Sequence, residues 1–176
     1  MNGDRNCRFL ASLGMTVLLS GAAAAQDSGI GLEIGTVGPA AKVETLDGKP
    51  TDLAVYVGKK PVLMEFWATW CPNCQELEPN MKAMYAKYGK QIAFVGVGVS
   101  VRQSRERIKA YVEKHKLPWS QVFDARGNAS GAYDAPATSY VVVLDRAGKV
   151  VYTGLGGKQD LESAIRKALR GGRPGS

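Results

Sequence analysis

The sequence predicts a single α/β domain built on a mixed sheet, and three observations predict it. Three continuous apolar runs, residues 61–66 (PVLMEF), 92–99 (IAFVGVGV) and 140–144 (YVVVL), read as buried strands rather than as alternating, half-solvated ones. Segments with helical apolar spacing stand between and after them, so strand and helix alternate. No internal repeat and no linker divides the 176 residues, which are 45% hydrophobic and 22% charged, enough for one real core. The 21 glycines are scattered without a period, which excludes a collagen-like or low-complexity chain.

Taken in order, residues 26–38 are polar and Gly-rich and are expected as a flexible leader, with the folded domain spanning 39–170. Residues 42–53 (KVETLDGKPTDL) read as a β-hairpin: Val43 and Thr45 on one strand, Asp47-Gly48 at the turn, residues 51–53 returning, then a helical turn at 52–56. Strand 61–66 runs into a helix with Leu77, Met81, Met84, Tyr85 and Tyr88 at helical spacing. Those side chains are read as core, and Pro79 inside the helix as a kink. In strand 92–99, Gly96 and Gly98 allow close packing or a bend. Residues 104–115 form an amphipathic helix with Ile108, Tyr111 and Val112 on one face. Leu117-Pro118-Trp119 ends it, residues 121–123 are a short strand and 128–133 at most a short helix. Strand 140–144 turns at Asp145-Arg146-Ala147-Gly148 into an antiparallel partner at 149–153. Asp160 caps a last helix carrying Leu161, Ile165 and Leu169, and residues 171–176 are expected as a disordered tail.

The first 25 residues have the form of a signal peptide: Arg5 and Arg8, an apolar stretch at 9–19, and Ala23-Ala24-Ala25 before Gln26. An uncleaved anchor is the competing reading, because residues 9–25 carry no charge. Either way the domain is expected in an exported, disulfide-permissive compartment, periplasmic or its equivalent. Of 23 basic and 16 acidic side chains, loss of Arg5, Arg8 and Asp4 leaves 21 and 15. The basic residues are dispersed and interleaved with Glu106 and Glu113, so nucleic acid is not an expected partner.

The chemistry is concentrated at residues 62–79, VLMEFWATWCPNCQELEP. Apart from Cys7 in the leader, Cys71 and Cys74 are the only cysteines, and they stand where a strand gives way to a helix. A Cys-x-x-Cys pair at that junction is a redox signature. The first turn of a helix offers unpaired N–H groups and the positive end of the dipole, both of which favour thiolate, the nucleophilic form. A second cysteine one turn on can attack the mixed disulfide and release the product.

FWATWCPNC at residues 66–74 strongly resembles exported thioredoxin-fold proteins of the TlpA, ResA and CcmG type, and the resemblance covers most of residues 35–168. LDGKPTDL resembles the hairpin those proteins carry ahead of the core, 104–123 their central helix–strand insertion, and LDRAGKVVYTGLGG their closing hairpin. The resemblance implies a thioredoxin fold and protein disulfide oxidoreductase activity involved in processes such as cytochrome c biogenesis, with no cofactor. It implies Cys71 as the exposed attacking thiol, Cys74 as the buried resolving thiol, Trp70 shielding the pair, and Pro72 and Asn73 tuning it. Glu65 falls where many thioredoxins keep a buried acid, which would carry a proton to or from Cys74; the alternative is a pleat-edge residue reaching water. One departure concerns the cis-proline that faces the disulfide in such folds. A gapless register puts Ser139 there, preceded by Thr138; the alternative is Pro136, three residues earlier, which would require the strand to start three residues sooner or to bulge. With Thr138 and Ser139 across from the cysteines, substrate docking would differ from the family norm.

The expected partners are disulfide-containing proteins and a membrane-borne or periplasmic reductant, with the chain acting as a monomer. A rival reading uses the same two thiolates to hold Cu(I) as a metallochaperone. A structural zinc site is short of ligands, since His115 is the one histidine and its charged neighbours suggest a solvated helix face. A peroxidase reading fits less well, because a resolving cysteine stands beside the attacking one.

Overall fold

The computed structural model describes residues 30–171. The expected signal peptide with Cys7, the first residues of the leader and the tail beyond Gly171 lie outside the described residues. Among the described residues no helix is long and apolar enough to cross a membrane.

The strands are β1 (Lys42–Thr45), β2 (Pro50–Asp52), β3 (Val62–Trp67), β4 (Ala93–Val99), β5 (Ser120–Asp124), β6 (Tyr140–Leu144) and β7 (Val150–Leu155). The helices are α1 (Pro72–Tyr88), α2 (Arg105–His115), α3 (Asn128–Ala132) and α4 (Leu161–Arg170), with a 3-10 turn at Leu53–Val55. They form one mixed sheet in the order β2-β1-β5-β4-β3-β6-β7. The central pairs β3–β4 and β4–β5 are parallel, and β6, β7 and the β1–β2 hairpin join antiparallel. This is the thioredoxin fold, with α2 and β5 inserted between β4 and the rest of the chain.

Each apolar run explains its strand. All six residues of β3 and all five of β6 are buried, as strands covered on both faces must be. Leu63, Phe94, Val141 and Val143 pack against Leu77 and Met81 of α1 and Leu161 and Ile165 of α4. The opposite parity, Met64, Phe66, Val95, Val97, Tyr140 and Val142, packs with Leu53, Ala129 and Tyr133. Ser104 and Asp160 cap α2 and α4 through their side chains, on the N–H groups of Arg107 and Ser163. Met84 and Tyr85 are partly buried against the α1 side of the core, in keeping with the core reading.

One local expectation is revised, and one pairing is new. Residues 30–38, read as part of a flexible leader, pair with the turn before β7 and its first residue: Gly35 N donates to Val150 O (2.8 Å), Val150 N to Thr36 O (2.8 Å) and Gly38 N to Gly148 O (2.8 Å). Leu32 is buried and its N–H donates to the Tyr140 hydroxyl at 3.1 Å. Backbone pairing and the burial of Leu32 anchor it, because β7 otherwise leaves an open sheet edge. The hairpin, in turn, lies beside the inserted strand β5, a long-range pairing that no local pattern announces.

Candidate active site

Chain direction builds the site. β3 ends at Trp67, the chain turns through Ala68–Trp70, and α1 begins at Pro72 with Cys71 as its N-cap residue in an extended conformation (φ −84°, ψ 113°). Proline suits the first helical position, since its missing N–H would be unpaired there anyway. Cys71 and Cys74 form a disulfide, Cα–Cα 5.3 Å, and Cys71 Sγ also accepts the N–H of Cys74 at 3.1 Å. That bond is the capping interaction that stabilises a thiolate at this position.

The expectation of an exposed Cys71 over a buried Cys74 is corrected for the disulfide form: the two are 3% and 6% exposed. What separates them is surroundings. Cys71 lies between Trp70, 38% exposed, and the exposed Pro72 and Asn73, while Cys74 lines a small cavity with Glu65. Trp70 is pinned outward, its indole N–H donating to Val101 O at 2.8 Å. The preceding turn is braced by two glutamines that the sequence did not single out. Gln103 Oε1 accepts from both the N–H and hydroxyl of Thr69 (2.9 Å each), and its Nε2 donates to Val99 O (2.6 Å). Gln75 Nε2 donates to Thr69 O (3.0 Å).

Glu65 is 5% exposed, so the pleat-edge alternative does not hold. Register places it. Glu65 on β3 pairs with Gly96 on β4, which pairs with Gln121 on β5, a cross-strand row on the Leu63 face under α1. Gly96 leaves space in the middle of that row, and a Cβ there would run into the Gln121 side chain. Gln121 Oε1 accepts the indole N–H of Trp67 at 3.1 Å. Because that indole can only donate, the amide is oriented with Nε2 as its free end. The resulting cavity, about 10 Å³, is lined by Glu65, Trp67, Cys74, Glu78, Tyr111, Leu117, Trp119 and Gln121. Among the described residues, neither Glu65 Oε1 nor Gln121 Nε2 has a hydrogen-bond partner. Burial, reinforced by the charge of Glu78, pushes the Glu65 carboxyl up to about 8.

Glu78 was passed over in the sequence, although it lies one helical turn after Cys74 and therefore on the same face. Its carboxylate accepts from Lys82 Nζ (2.7 Å) and the Tyr111 hydroxyl (2.9 Å), and meets His115 Nδ1 at 3.0 Å. Burial opposes its charge, but these bonds outweigh it and hold Glu78 below the usual carboxylate range. His115 is thus no solvated surface residue. It is 31% exposed, stacked on Tyr111 with ring centroids 3.7 Å apart, and tied to α1.

The loop before β6 departs from the expected docking arrangement. Ser139 is fully buried with φ +67°, a left-handed conformation uncommon outside glycine. Four bonds hold it: its N–H donates to Phe66 O (2.8 Å), its hydroxyl to Gly156 O (2.9 Å), and its carbonyl accepts from Gly156 N (3.2 Å) and Gln159 Nε2 (3.1 Å). Proline could supply neither that N–H nor that φ, which is the physical reason for a serine here. With the hydroxyl committed to Gly156, half-buried Thr138 and exposed Pro136 are among the accessible residues of this loop, together with Asp134 and Ala137. Among the described residues no group of three or more His, Cys, Asp or Glu side chains is arranged to hold a metal ion.

Comparison with known proteins agrees with this geometry. The model of the AhpC/TSA family matches residues 34–153. The chain belongs to the AhpC/TSA family. Within reach of this AhpC/TSA domain is the thioredoxin-like protein YneN of Bacillus subtilis, 27% identical over 139 residues, covering 77% of this chain and 81% of that one. The thiol-disulfide oxidoreductase ResA of Bacillus thuringiensis is 28% identical over 138 residues, covering 77% and 79%. Among solved structures, a thiol:disulfide interchange protein from a Bacteroides species superposes with a TM-score of 0.66 at 28% identity, covering 81% of this chain and 93% of that one.

Proposed function

We propose that the protein is a thiol–disulfide oxidoreductase working through Cys71 and Cys74, and that it reduces disulfides of partner proteins in an exported compartment. The observation that carries the reading is the disulfide between an N-cap cysteine and the cysteine three residues on, with a buried carboxyl sharing the cavity beside the second sulfur.

In the cycle, Cys71 thiolate attacks a substrate disulfide, forming a Cys71–substrate bond and expelling one substrate sulfur. Cys74 then gives its proton to Glu65, attacks Cys71 Sγ and expels the second. The substrate gains two electrons and the pair is oxidised. A dithiol reductant, membrane-borne or periplasmic, reverses that oxidation, and Glu65 returns the proton to Cys74 as the protein disulfide opens. Trp70, Pro72 and Asn73, with Thr138 and Pro136 across the groove, form the docking rim, and Ser139 shapes it from beneath. Export is supported by the signal-peptide form of residues 1–25.

Trapping tests the reading. Cys74→Ala should accumulate covalent complexes with disulfide-bearing proteins in the native compartment, and Cys71→Ala should abolish both exchange and insulin reduction. A Cys74→Ala protein that forms no mixed disulfide would sink it. Titrating the reduced wild-type protein with Cu(I) in parallel tests the metallochaperone reading, which requires retention of copper without disulfide exchange.

A further inference from the structure

We propose that Glu78 is a positioning residue for the redox pair: its fixed negative charge, facing the same cavity as the Glu65 carboxyl, keeps the proton on Glu65 available for Cys74. This rests on the oxidoreductase reading above and extends it to a second carboxylate. Two carboxyl groups line one small cavity with Cys74, and they are unequally equipped. Glu78 is bonded by Lys82, Tyr111 and His115, all of which favour its ionised form. Glu65 has an oxygen with no partner and almost no contact with water. One proton shared between two such groups therefore resides on Glu65.

The consequence is directional. When a dithiol attacks Cys71 Sγ, the Cys71–Cys74 bond breaks and its electron pair goes to Cys74 Sγ, which takes the Glu65 proton. That leaves two carboxylates facing one cavity, an arrangement that like-charge repulsion opposes. Glu65 is thereby primed to take the proton back from Cys74 when the pair next resolves a substrate. The groups facing Glu65 are Cys74 and Glu78 from α1, Tyr111 from α2 and the neutral Gln121 from β5, with Lys82 and His115 acting on Glu78 from behind. Lys82 Nζ also donates to His115 O at 2.8 Å, so the clamp joins α1 to the end of α2.

Opposite charge changes separate this role from simple bracing. Glu78→Gln removes the negative charge, and Lys82→Met removes the cation that partly offsets it. Both loosen the same clamp. The Glu65 carboxyl is followed by carbon-13 NMR across pH in the oxidised protein, with Glu65→Gln assigning its signal, and the pH dependence of disulfide reduction by dithiothreitol is measured beside it. Glu78→Gln is expected to move the Glu65 inflection to lower pH, raising its ionised fraction at pH 7 roughly threefold to tenfold. Lys82→Met is expected to move it to higher pH, and the reduction profile should follow in each variant. No movement, or movement of both variants in the same direction, would overturn the proposal in favour of a purely structural clamp. The NMR titration scores this even if the wild-type protein fails to reduce insulin, the outcome that defeats the oxidoreductase reading instead.

Discussion

At the scale of single residues, the site depends on groups held where they would not stay alone. Glu65 keeps its proton because burial removes the water that would stabilise its charge, an effect larger than the repulsion from Glu78. Its titration feeds directly into stability. The folded-state value, about 8, lies above the ordinary carboxylate value, so the folded protein binds this proton more tightly than the unfolded chain. The stabilisation is complete below about pH 4.5 and is lost as pH rises towards 8. Urea midpoints measured between those limits should fall with pH more steeply in the wild type than in Glu65→Gln, by up to about 1.4 kcal/mol per pH unit. Equal slopes would mean that Glu65 reaches water. Ser139 offers a second check, because its N–H and positive φ are both in use. Ser139→Pro should therefore destabilise the protein by about 2–3 kcal/mol in urea denaturation.

At the scale of elements, β4 shows why two glycines stand in a buried strand. Gly96 opens the space that the Gln121 side chain fills, and Gly98 lets Ile108 of α2 come down onto the sheet. A Cβ at Gly98 would overlap Ile108 Cδ1, and both are buried. Gly98→Ala should therefore cost roughly 1–3 kcal/mol of stability, as overpacking does. Adding Ile108→Val removes the overlapping methyl, so a double-mutant cycle should show recovery of part of that loss. The two effects adding independently would mean that α2 is not seated on Gly98. In α1, helical periodicity brings Cys74, Leu77, Glu78 and Met81 to one face, which sets the redox sulfur and the second carboxylate over the same strand.

At the scale of the whole molecule, the sheet carries the site in its middle and is extended on both sides by chain that lies far away in sequence. Residues 30–38 pair with the start of β7, and the hairpin extends the other side beyond β5, with β2 as the edge strand. Leu32 packs in the same cluster as Phe66 and Tyr140, so this strap is part of the core supporting β3 and β6. A chain starting at residue 39 should lose about 2–4 kcal/mol relative to one starting at residue 26, read from urea midpoints of the two proteins. An unchanged midpoint would show that the strap contributes nothing to the fold.

Much of this was legible beforehand, for a local reason. Strand and helix identity follow from apolar periodicity, and the caps, the hairpin turn and the N-cap position of Cys71 each depend on a few neighbouring residues, so the α/β class and the redox pair could be read from local pattern, and the thioredoxin fold from the resemblance carried by residues 66–74 and their flanks. Glu65 could be suspected from its apolar neighbours. The surroundings of that carboxyl could not, because they come from register and packing. Gln121 reaches it across two strand pairings, His115 and Tyr111 arrive from an inserted helix, and Ser139 is fixed by a carbonyl and a glutamine from the closing hairpin loop. The sequence by itself therefore determined which two sulfurs exchange electrons. Only the tertiary structure decided that a carboxyl beside them is buried and titrates high, because charge in a cavity is set by every element that lines it.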